Sequence, residues 1–468
     1  MSPNEDDEQA RLLVESAPCQ VVLPAGCGKT QLAANAAAVV VRRGGRVLVL
    51  THTHAAVDAV RSRLRFLGIS NEQANVATIA AWFGRLVKAY PMLSGVVIGD
   101  EVDFDAVDAG ALQLFANSHI LRMLAASYDL LIVDEYQDCN VGQHAAIAAV
   151  RDVIPTVVLG DPLQAVLDYR GNTLVDWDAD LADVPRLELE VLPWRWAGAN
   201  EPLGAFTLEF RAALLSGQAF DLASAPVEWL ASSDENVRKA MFASRKFDGT
   251  TVVLSGAVRA QALSAAKQVG GLFGLMEEVE GKQLLKFAGT FDGADGFKTA
   301  AAAVEFAAGC FCGMSPLKTK CKDVADGTFP AFRQGGVLTD ALTALKALTD
   351  DPTTSNLLSA MDAMSEVPDA KLVCREAWYG VKEAALIQSR DAELSLTEAV
   401  QRVRDRARRY GRYREGRVVS RVPLYKGQQC GRCIAVLQGN MKTPELYVAL
   451  TRATQELVVI SASAVIGP

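Results

Sequence analysis

The chain is poor in histidine and aromatic residues and has no long apolar run. Only 4 of its 468 residues are histidine, and 7% are aromatic. A metal centre built on imidazole groups therefore has few ligands to draw on. No apolar run reaches the roughly 18 residues that a membrane-spanning helix needs. Residues 1–8 are acidic and polar, unlike an export signal, so we expect a cytoplasmic protein with no membrane partner.

The cysteine content and the net charge argue against a disulfide-bonded protein and against one that coats nucleic acid by its overall charge. The nine cysteines are an odd number and are scattered, which is typical of reduced thiols. Two groupings lack a nearby fourth ligand at the spacing of zinc sites, so we interpret them as buried thiols and leave metal binding as the alternative. These groupings are Cys310, Cys312 and Cys321, and Cys430 with Cys433. The net charge of -8 means that any DNA contact must come from a local basic groove.

A glycine-containing turn between an apolar run and a helix-forming run is the first sign of function. Gly26 and Gly28 let backbone N–H groups approach a triphosphate closely. Lys29 would then reach the β- and γ-phosphates, and the Thr30 hydroxyl would hold Mg²⁺. Because Leu23 stands where the full pattern has a glycine, an ordinary glycine turn is the alternative.

Polar groups also follow two later apolar strands. Asp134 and Glu135 end the strand predicted at 130–133, where one carboxylate can hold Mg²⁺ and the other can polarise the attacking water. Gln164 follows the strand at 156–160 and could sense the γ-phosphate. Apolar strands alternating with helical runs predict a doubly wound α/β domain with its site at the carboxyl edge of the sheet.

Three further segments give expectations that a structure can test. Trp82 and Phe83 are predicted to belong to the core. The acidic residues 99–108 are predicted to form a solvated loop. A capping-box sequence at 395–398 precedes a basic helix ending near Tyr410, which could contact phosphates or could be a solvated helix face.

Taken in order, these motifs resemble those of superfamily 1 helicases of the UvrD/Rep type. The resemblance covers roughly residues 1–275 and 415–465. Its motifs are Gln9; 25–30; 51–54; 134–138; 160–164; 169–171; 192–195; 426–427; and 446–453.

The resemblance implies two RecA-like P-loop domains, each a parallel sheet flanked by helices, with a mainly helical insertion in the second. The expected first domain is 1–190, with a minimal accessory insertion at about 85–125. The expected second domain is split between 191–275 and 405–468, and 276–404 form its insertion.

The resemblance also assigns roles to single residues, with ATP and Mg²⁺ as cofactors. Those expected in catalysis are Lys29, Glu135, Gln164, Arg195 and Arg452. Those expected around ATP are Gln9, Ala25, Gly26, Cys27, Gly28, Lys29, Thr30, Trp194, Arg195, Gln429 and Arg452. Thr30 and Asp134 would hold Mg²⁺. Those expected on DNA are Thr51, His52, His54, Thr78, Tyr169, Arg170 and Lys426.

The sequence departs from the family pattern mainly at groups that couple ATP to DNA. Residues 421–423 replace the family's Thr-x-His, Gln429 replaces a glutamate, and His52 replaces a phenylalanine. The leading hypothesis is an ATP-dependent helicase or translocase on single-stranded or tailed DNA, moving 3′ to 5′ by likeness. The alternative is a nucleotide-gated, DNA-sensing partner subunit of a nuclease, similar to the helicase component of Gabija-type anti-phage systems. No intrinsic nuclease site is expected.

Overall fold

The computed structural model describes residues 5–99, 103–166, 173–256, 258–276, 281–391, 393–410 and 416–467, without the side chains of 5–7 and 407–410. Its amino-terminal part is a five-stranded parallel sheet in the order β1-β5-β4-β2-β3. The strands are Cys19–Val22 (β1), Val47–Thr51 (β2), Ala74–Thr78 (β3), Leu130–Val133 (β4) and Thr156–Gly160 (β5). The helices are Glu5–Glu15 (α1), Lys29–Arg42 (α2), His54–Phe66 (α3), Ile79–Ala89 (α4), Pro91–Ser94 (α5), Phe104–Phe115 (α6), Ser118–Ser127 (α7), Val141–Arg151 (α8) and Trp177–Asp180 (α9).

Both faces of this first sheet are covered, which explains why its strands are continuous apolar runs. Val49 and Ile132 belong to the core on one face, and Leu50 and Val133 belong to the core on the other. Trp82 and Phe83 are buried in the second of these cores, as predicted.

The prediction of a solvated loop at 99–108 is wrong for its second half. Asp103 caps α6 by accepting hydrogen bonds from the N–H groups of Asp105 and Ala106. Val107 and Leu114 then bury one face of that helix, and Asp108 is only 4% exposed. An N-cap aspartate followed by apolar residues at helical spacing outweighs the local acidic composition.

The second part of the chain begins with a long helix and four strands. The strands are Phe220–Asp221 (β6), Glu228–Ala231 (β7), Thr251–Ser255 (β8) and Gly274–Leu275 (β9). The helices are Glu201–Leu215 (α10), Asp234–Ala243 (α11) and Arg259–Gln268 (α12).

A mainly helical region follows and packs around one apolar core. Its helices are Lys282–Asp292 (α13), Gly296–Cys310 (α14), Ser315–Lys320 (α15), Thr339–Asp350 (α16), Thr354–Ser365 (α17), Arg375–Gln388 (α18) and Leu396–Tyr410 (α19). Phe311–Cys312 (β10) and Lys371–Leu372 (β11) pair antiparallel. The predicted capping box is confirmed, because Ser395 and Glu398 exchange side-chain to backbone hydrogen bonds at the start of α19. The arginines at 408, 409, 412 and 414 lie outside the described side chains.

The chain then returns to complete a second parallel sheet. The remaining elements are Arg417–Ser420 (β12), Val422–Tyr425 (α20), Cys430–Val436 (β13), Thr443–Leu450 (α21), Ala453–Ser461 (β14) and Val465–Ile466 (β15). This sheet has the order β7-β14-β13-β8-β12-β9, and β6 pairs with β15 beside it. Two parallel sheets flanked by helices, with a helical insertion in the second, are the predicted α/β fold class.

Candidate functional site

The loop between β1 and α2 is shaped by two glycines in the left-handed region. Gly26 has a φ of 76° and Gly28 a φ of 85°. A Cβ at Gly26 would lie 2.6 Å from Trp196 Cζ3, and one at Gly28 would lie 3.0 Å from Trp194 Cδ1. These two positions therefore have no room for side chains, and the loop leads directly into the amino terminus of α2. Backbone N–H groups arranged this way form a cradle for phosphate.

Lys29 is folded back onto this loop. Its Nζ donates hydrogen bonds to the carbonyl oxygens of Leu23 (2.7 Å) and Pro24 (3.2 Å). Leu23 is 2% exposed and packs in the core, so an apolar residue replaces the usual glycine without opening the loop. The ammonium lies at the same end of α2 as the cradle, where a phosphate could replace the two carbonyl oxygens as its hydrogen-bond partner.

Asp134 and Thr30 present two oxygens suited to Mg²⁺. Thr30 Oγ1 lies 3.5 Å from Asp134 Oδ2, and Asp134 is 1% exposed. Burial, followed by the adjacent Glu135, raises the pKa of Asp134 to about 7. Mg²⁺ usually binds one or two protein carboxylates together with substrate phosphates. The pair fits that ion, although the described residues contain no group of three or more metal-ligating side chains.

Glu135 faces the same site because the chain turns there. Successive residues of a strand point to opposite faces, but Glu135 lies two residues beyond Val133, the last residue of β4, and has a φ of 59°. Gln137 Nε2 donates a hydrogen bond of 2.5 Å to Glu135 Oε2. Burial acts to raise the pKa of Glu135, but the ammonium groups of Lys426 and Lys29 lower it overall.

Gln164 joins the end of β5 to the second sheet. Its Nε2 donates to Asp161 Oδ2 at 3.0 Å, and its Oε1 accepts from Arg452 Nη2 at 3.3 Å. Its backbone oxygen accepts a hydrogen bond from Lys426 Nζ. The side chain is 3% exposed, so these contacts hold its amide in one orientation.

Two guanidinium groups, from Arg452 (buried) and Arg195 (half-buried), face the first sheet from the part of the chain that follows it. Arg452 is 1% exposed and donates from Nε to the carbonyl of Val448 at 2.9 Å. Arg195 donates from Nε to Gln429 Oε1 at 3.1 Å and from Nη1 to the carbonyl of Thr451. Burial, with a contribution from Arg452, lowers the pKa of Arg195 to about 9. Burial also lowers the pKa of Arg452.

Neither Arg195 nor Arg452 forms an ion pair with a carboxylate among the residues that the structure describes. Both instead donate to neutral oxygens, and the charge of Arg452 disfavours that of Arg195. Buried cations are normally paired. The two groups therefore create an electropositive position beside the phosphate cradle.

Trp194 borders an apolar cavity beside Gly28. The cavity has a volume of about 370 Å³, within the range of small-molecule sites. Its lining residues are Leu192, Pro193, Trp194, Trp196, Ala197 and Glu201. Gln9 is half-buried on α1. Burial raises the pKa of the Cys27 thiol to about 11, so this residue lies in the loop as a neutral group.

Three of the seven residues expected on DNA have buried side chains in this conformation. Thr51 is fully buried, and Thr78 is 6% exposed and caps α4. Lys426 has a buried ion pair with Asp138, because its side chain is drawn between the two sheets.

The histidines after β2 differ from each other. His52 Nε2 lies 3.4 Å from Cys139 Sγ, and burial lowers the pKa of His52 to about 3. His54 is exposed at the first residue of α3. Tyr169 and Arg170 lie outside the described residues.

Sequence reasoning missed several residues that hold the two sheets together. Tyr447 Oη accepts a hydrogen bond of 2.9 Å from the N–H of Ala25. Trp196 Nε1 donates to the carbonyl of Ala453 at 2.7 Å. Asp161 forms an ion pair of 3.1 Å with Arg211. Tyr447 and Asp161 lie inside recognised motifs, whereas nothing in the local sequence marks Arg211.

Comparison with known proteins agrees with this geometry for the amino-terminal part. Residues 7–170, about a third of the chain, match the family model described as AAA domain. This part is therefore a P-loop domain of the nucleotide-binding class. No match is found among curated proteins. Among solved structures, the Escherichia coli DEAH/RHA helicase HrpB aligns with 16% identity and a TM-score of 0.31. The alignment covers 58% of this chain and 29% of that helicase, so the chain spans less than a third of its length.

Proposed function

We propose that this protein is an ATP hydrolase that uses hydrolysis to move along single-stranded DNA, in the 3′ to 5′ direction. One observation carries the proposal. The buried guanidinium group of Arg452 and the half-buried one of Arg195 have no carboxylate partner among the described residues and face a phosphate cradle from the part of the chain after residue 190. An ATP hydrolase needs such an arrangement, because negative charge spreads over the transferred phosphoryl group.

The role proposed for each side chain follows from its position. The loop N–H groups and Lys29 bind the phosphates, and Thr30 with Asp134 would hold Mg²⁺. When bound, this ion would neutralise phosphate charge. Glu135, whose pKa is lowered, stays ionised and can orient a water molecule by accepting a hydrogen bond from it. Gln164 positions Arg452 and can report the γ-phosphate to the second sheet.

The contacts between the two halves support a cycle of closing and opening. Gln164 with Arg452, Ala25 with Tyr447, and Lys426 with Asp138 are hydrogen bonds and an ion pair. Such polar contacts can be exchanged for contacts with a nucleotide. A change in the separation of two bodies that grip a strand would move that strand. We assign 1–190 and 191–275 with 405–468 to these bodies, and 276–404 to an insertion.

A second function is favoured by one specific observation. Thr51, Thr78 and Lys426 do not present free polar groups to a strand in this conformation. The protein could therefore be a nucleotide-gated subunit that senses DNA for a nuclease partner and unwinds little by itself. Single-stranded DNA distinguishes the two functions, because it should raise ATP hydrolysis many-fold in a translocase acting alone.

The test measures ATP hydrolysis and strand displacement on 3′-tailed and 5′-tailed duplexes. Lys29→Ala should abolish hydrolysis, and Arg452→Ala should lower kcat by about 10³–10⁵-fold while ATP still binds. Arg432→Gln is the control, because Arg432 lies on the second sheet but pairs with Glu456. Unchanged hydrolysis in Lys29→Ala would overturn the assignment. Displacement of 5′-tailed duplexes alone would reverse the proposed direction.

A further inference from the structure

A buried ion pair connects helix α10 to the end of β5. Arg211 Nη2 lies 3.1 Å from Asp161 Oδ1, the Asp161 side chain is fully buried, and the Arg211 side chain is 16% exposed. Asp161 acts to raise the pKa of Arg211 against the effect of burial, and the net shift is upward. The ion pair lies where water screens it little.

Arg211 is held firmly on the side of the second sheet. It lies on α10, whose residues Phe206, Phe210 and Leu214 belong to the same apolar core as Val252 and other strand residues of that sheet. Asp161 directly follows β5 of the first sheet. The ion pair therefore spans the same boundary as the contact between Arg452 and Gln164.

Asp161 divides its two oxygens between Arg211 and Gln164. Oδ1 accepts from Arg211 and from the N–H of Leu163, while Oδ2 accepts from Gln164 Nε2 at 3.0 Å. The bond to Nε2 leaves Gln164 Oε1 directed at Arg452 Nη2. Arg211 thus fixes the carboxylate that sets the orientation of the Gln164 amide.

Asp161 is also linked to Glu135, the residue proposed to orient the attacking water. The N–H of Asp161 donates to Gln137 Oε1 at 3.1 Å, and Gln137 Nε2 donates to Glu135 Oε2. Asp161 is therefore linked by single hydrogen bonds to the two amides that hold Glu135 and Arg452, through its backbone N–H to Gln137 and through its carboxylate to Gln164. A rotation of the Asp161 side chain would disturb the bond to Gln164 and, with it, the contact of Gln164 with Arg452.

We propose that Arg211 is a positioning residue for ATP hydrolysis, acting through Asp161 on Gln164 and Arg452. The inference rests on the proposed function. Arg211 itself touches neither Arg452 nor Glu135 among its described contacts, so its effect falls on the alignment of the reacting groups. Misalignment slows the chemical step more than it weakens ATP binding, because the phosphate cradle and Lys29 are separate from this chain of contacts.

The experiment compares steady-state ATP hydrolysis of the full chain, with and without single-stranded DNA, in wild type, Arg211→Gln, Arg211→Lys and Asp161→Asn. We expect Arg211→Gln to lower kcat about 10-fold or more, with KM for ATP changed less than about twofold. Arg211→Lys should recover part of the loss, because a cation again faces Asp161. Asp161→Asn should lose at least as much as Arg211→Gln.

The matched control is Arg151→Gln. Arg151 also pairs with an aspartate and has a similarly covered side chain, 13% exposed. Its partner Asp183 precedes Val184, whose carbonyl accepts a hydrogen bond from Gln20 of β1 rather than from a residue of the nucleotide loop. The kcat of Arg151→Gln should equal that of wild type. The melting temperature of every variant separates lost folding from lost alignment. A merely structural role predicts a lowered melting temperature with an unchanged kcat per folded molecule.

The outcomes separate the inference from the function on which it rests. If wild type hydrolyses ATP, Lys29→Ala does not, and Arg211→Gln keeps its kcat, the positioning role is wrong and the proposed function stands. A rise in KM alone in Arg211→Gln also overturns the positioning role. If wild type hydrolyses no ATP with or without DNA, the proposed function fails and the inference fails with it.

Discussion

Lys426→Met should destabilise the protein far more than the loss of an ordinary lysine. The side chains of Lys426 and Asp138 are 6% and 2% exposed, and Lys426 Nζ also donates to the carbonyl of Gln164. Asp138 Oδ1 already has no hydrogen-bond partner among the described residues. Removing the cation leaves a buried carboxylate without compensation, which typically costs about 3–5 kcal/mol.

The titration of Asp138 makes the stability of the protein depend on pH. Burial raises its pKa from 3.8 to about 6 although Lys426 lowers it, and Glu135 contributes to the rise. At 1.36 kcal/mol per unit, ionising Asp138 costs about 3 kcal/mol of folding free energy even beside its partner. The native state binds the proton more tightly, so stability falls as pH rises from about 4 to about 6 and then levels off. Without Lys426 the folded pKa rises further, and the fall continues above pH 6.

The assay is urea unfolding at pH 5 and pH 8, monitored by circular dichroism. The deficit of Lys426→Met relative to wild type should be larger at pH 8, and Asp138→Asn in the same chain should recover most of it. Lys382→Met is the control, because Lys382 and Asp362 are 26% and 63% exposed. An exposed pair contributes about 0–1 kcal/mol. A deficit no larger than that of Lys382→Met, or one independent of pH, would refute the reasoning.

Two further changes test the loop and the end of β2. Gly28→Ala should weaken ATP binding, measured by calorimetry. The φ of 85° at Gly28 strains alanine by about 1–2 kcal/mol, and the added Cβ would meet Trp194. The control is Gly44→Ala, which should keep wild-type affinity because Gly44 has a φ of 86° but open space around it. His52→Gln should flatten the acid branch of stability between about pH 6.5 and 3. The imidazole is held neutral by burial and by Lys426, against the opposing charge of Glu135, so the unfolded state binds its proton first and stability falls as pH drops. Equal slopes in titrations of His52→Gln and wild type would contradict this.

The amino-acid sequence by itself determined the features that depend on consecutive residues. The glycines of the loop, Lys29 after them, and the carboxylates at the end of β4 are local patterns, and the structure has the predicted turn and strands around them. Apolar runs between helical segments were sufficient to predict the first parallel sheet, and the resemblance to a helicase family implied the second. Short-range geometry needs only neighbouring residues, so it can be read from a single chain.

Only the tertiary structure decided which distant groups meet and which are buried. Arg452 contacts Gln164, 288 positions away, and Lys426 contacts Asp138, also 288 positions away. Arg211 pairs with Asp161 because α10 packs on the second sheet and faces the end of β5, which no local pattern indicates. Thr51 is likewise buried by residues that are distant in the sequence. These outcomes depend on how two sheets pack together, because a side chain's partner and exposure are set by residues far along the chain.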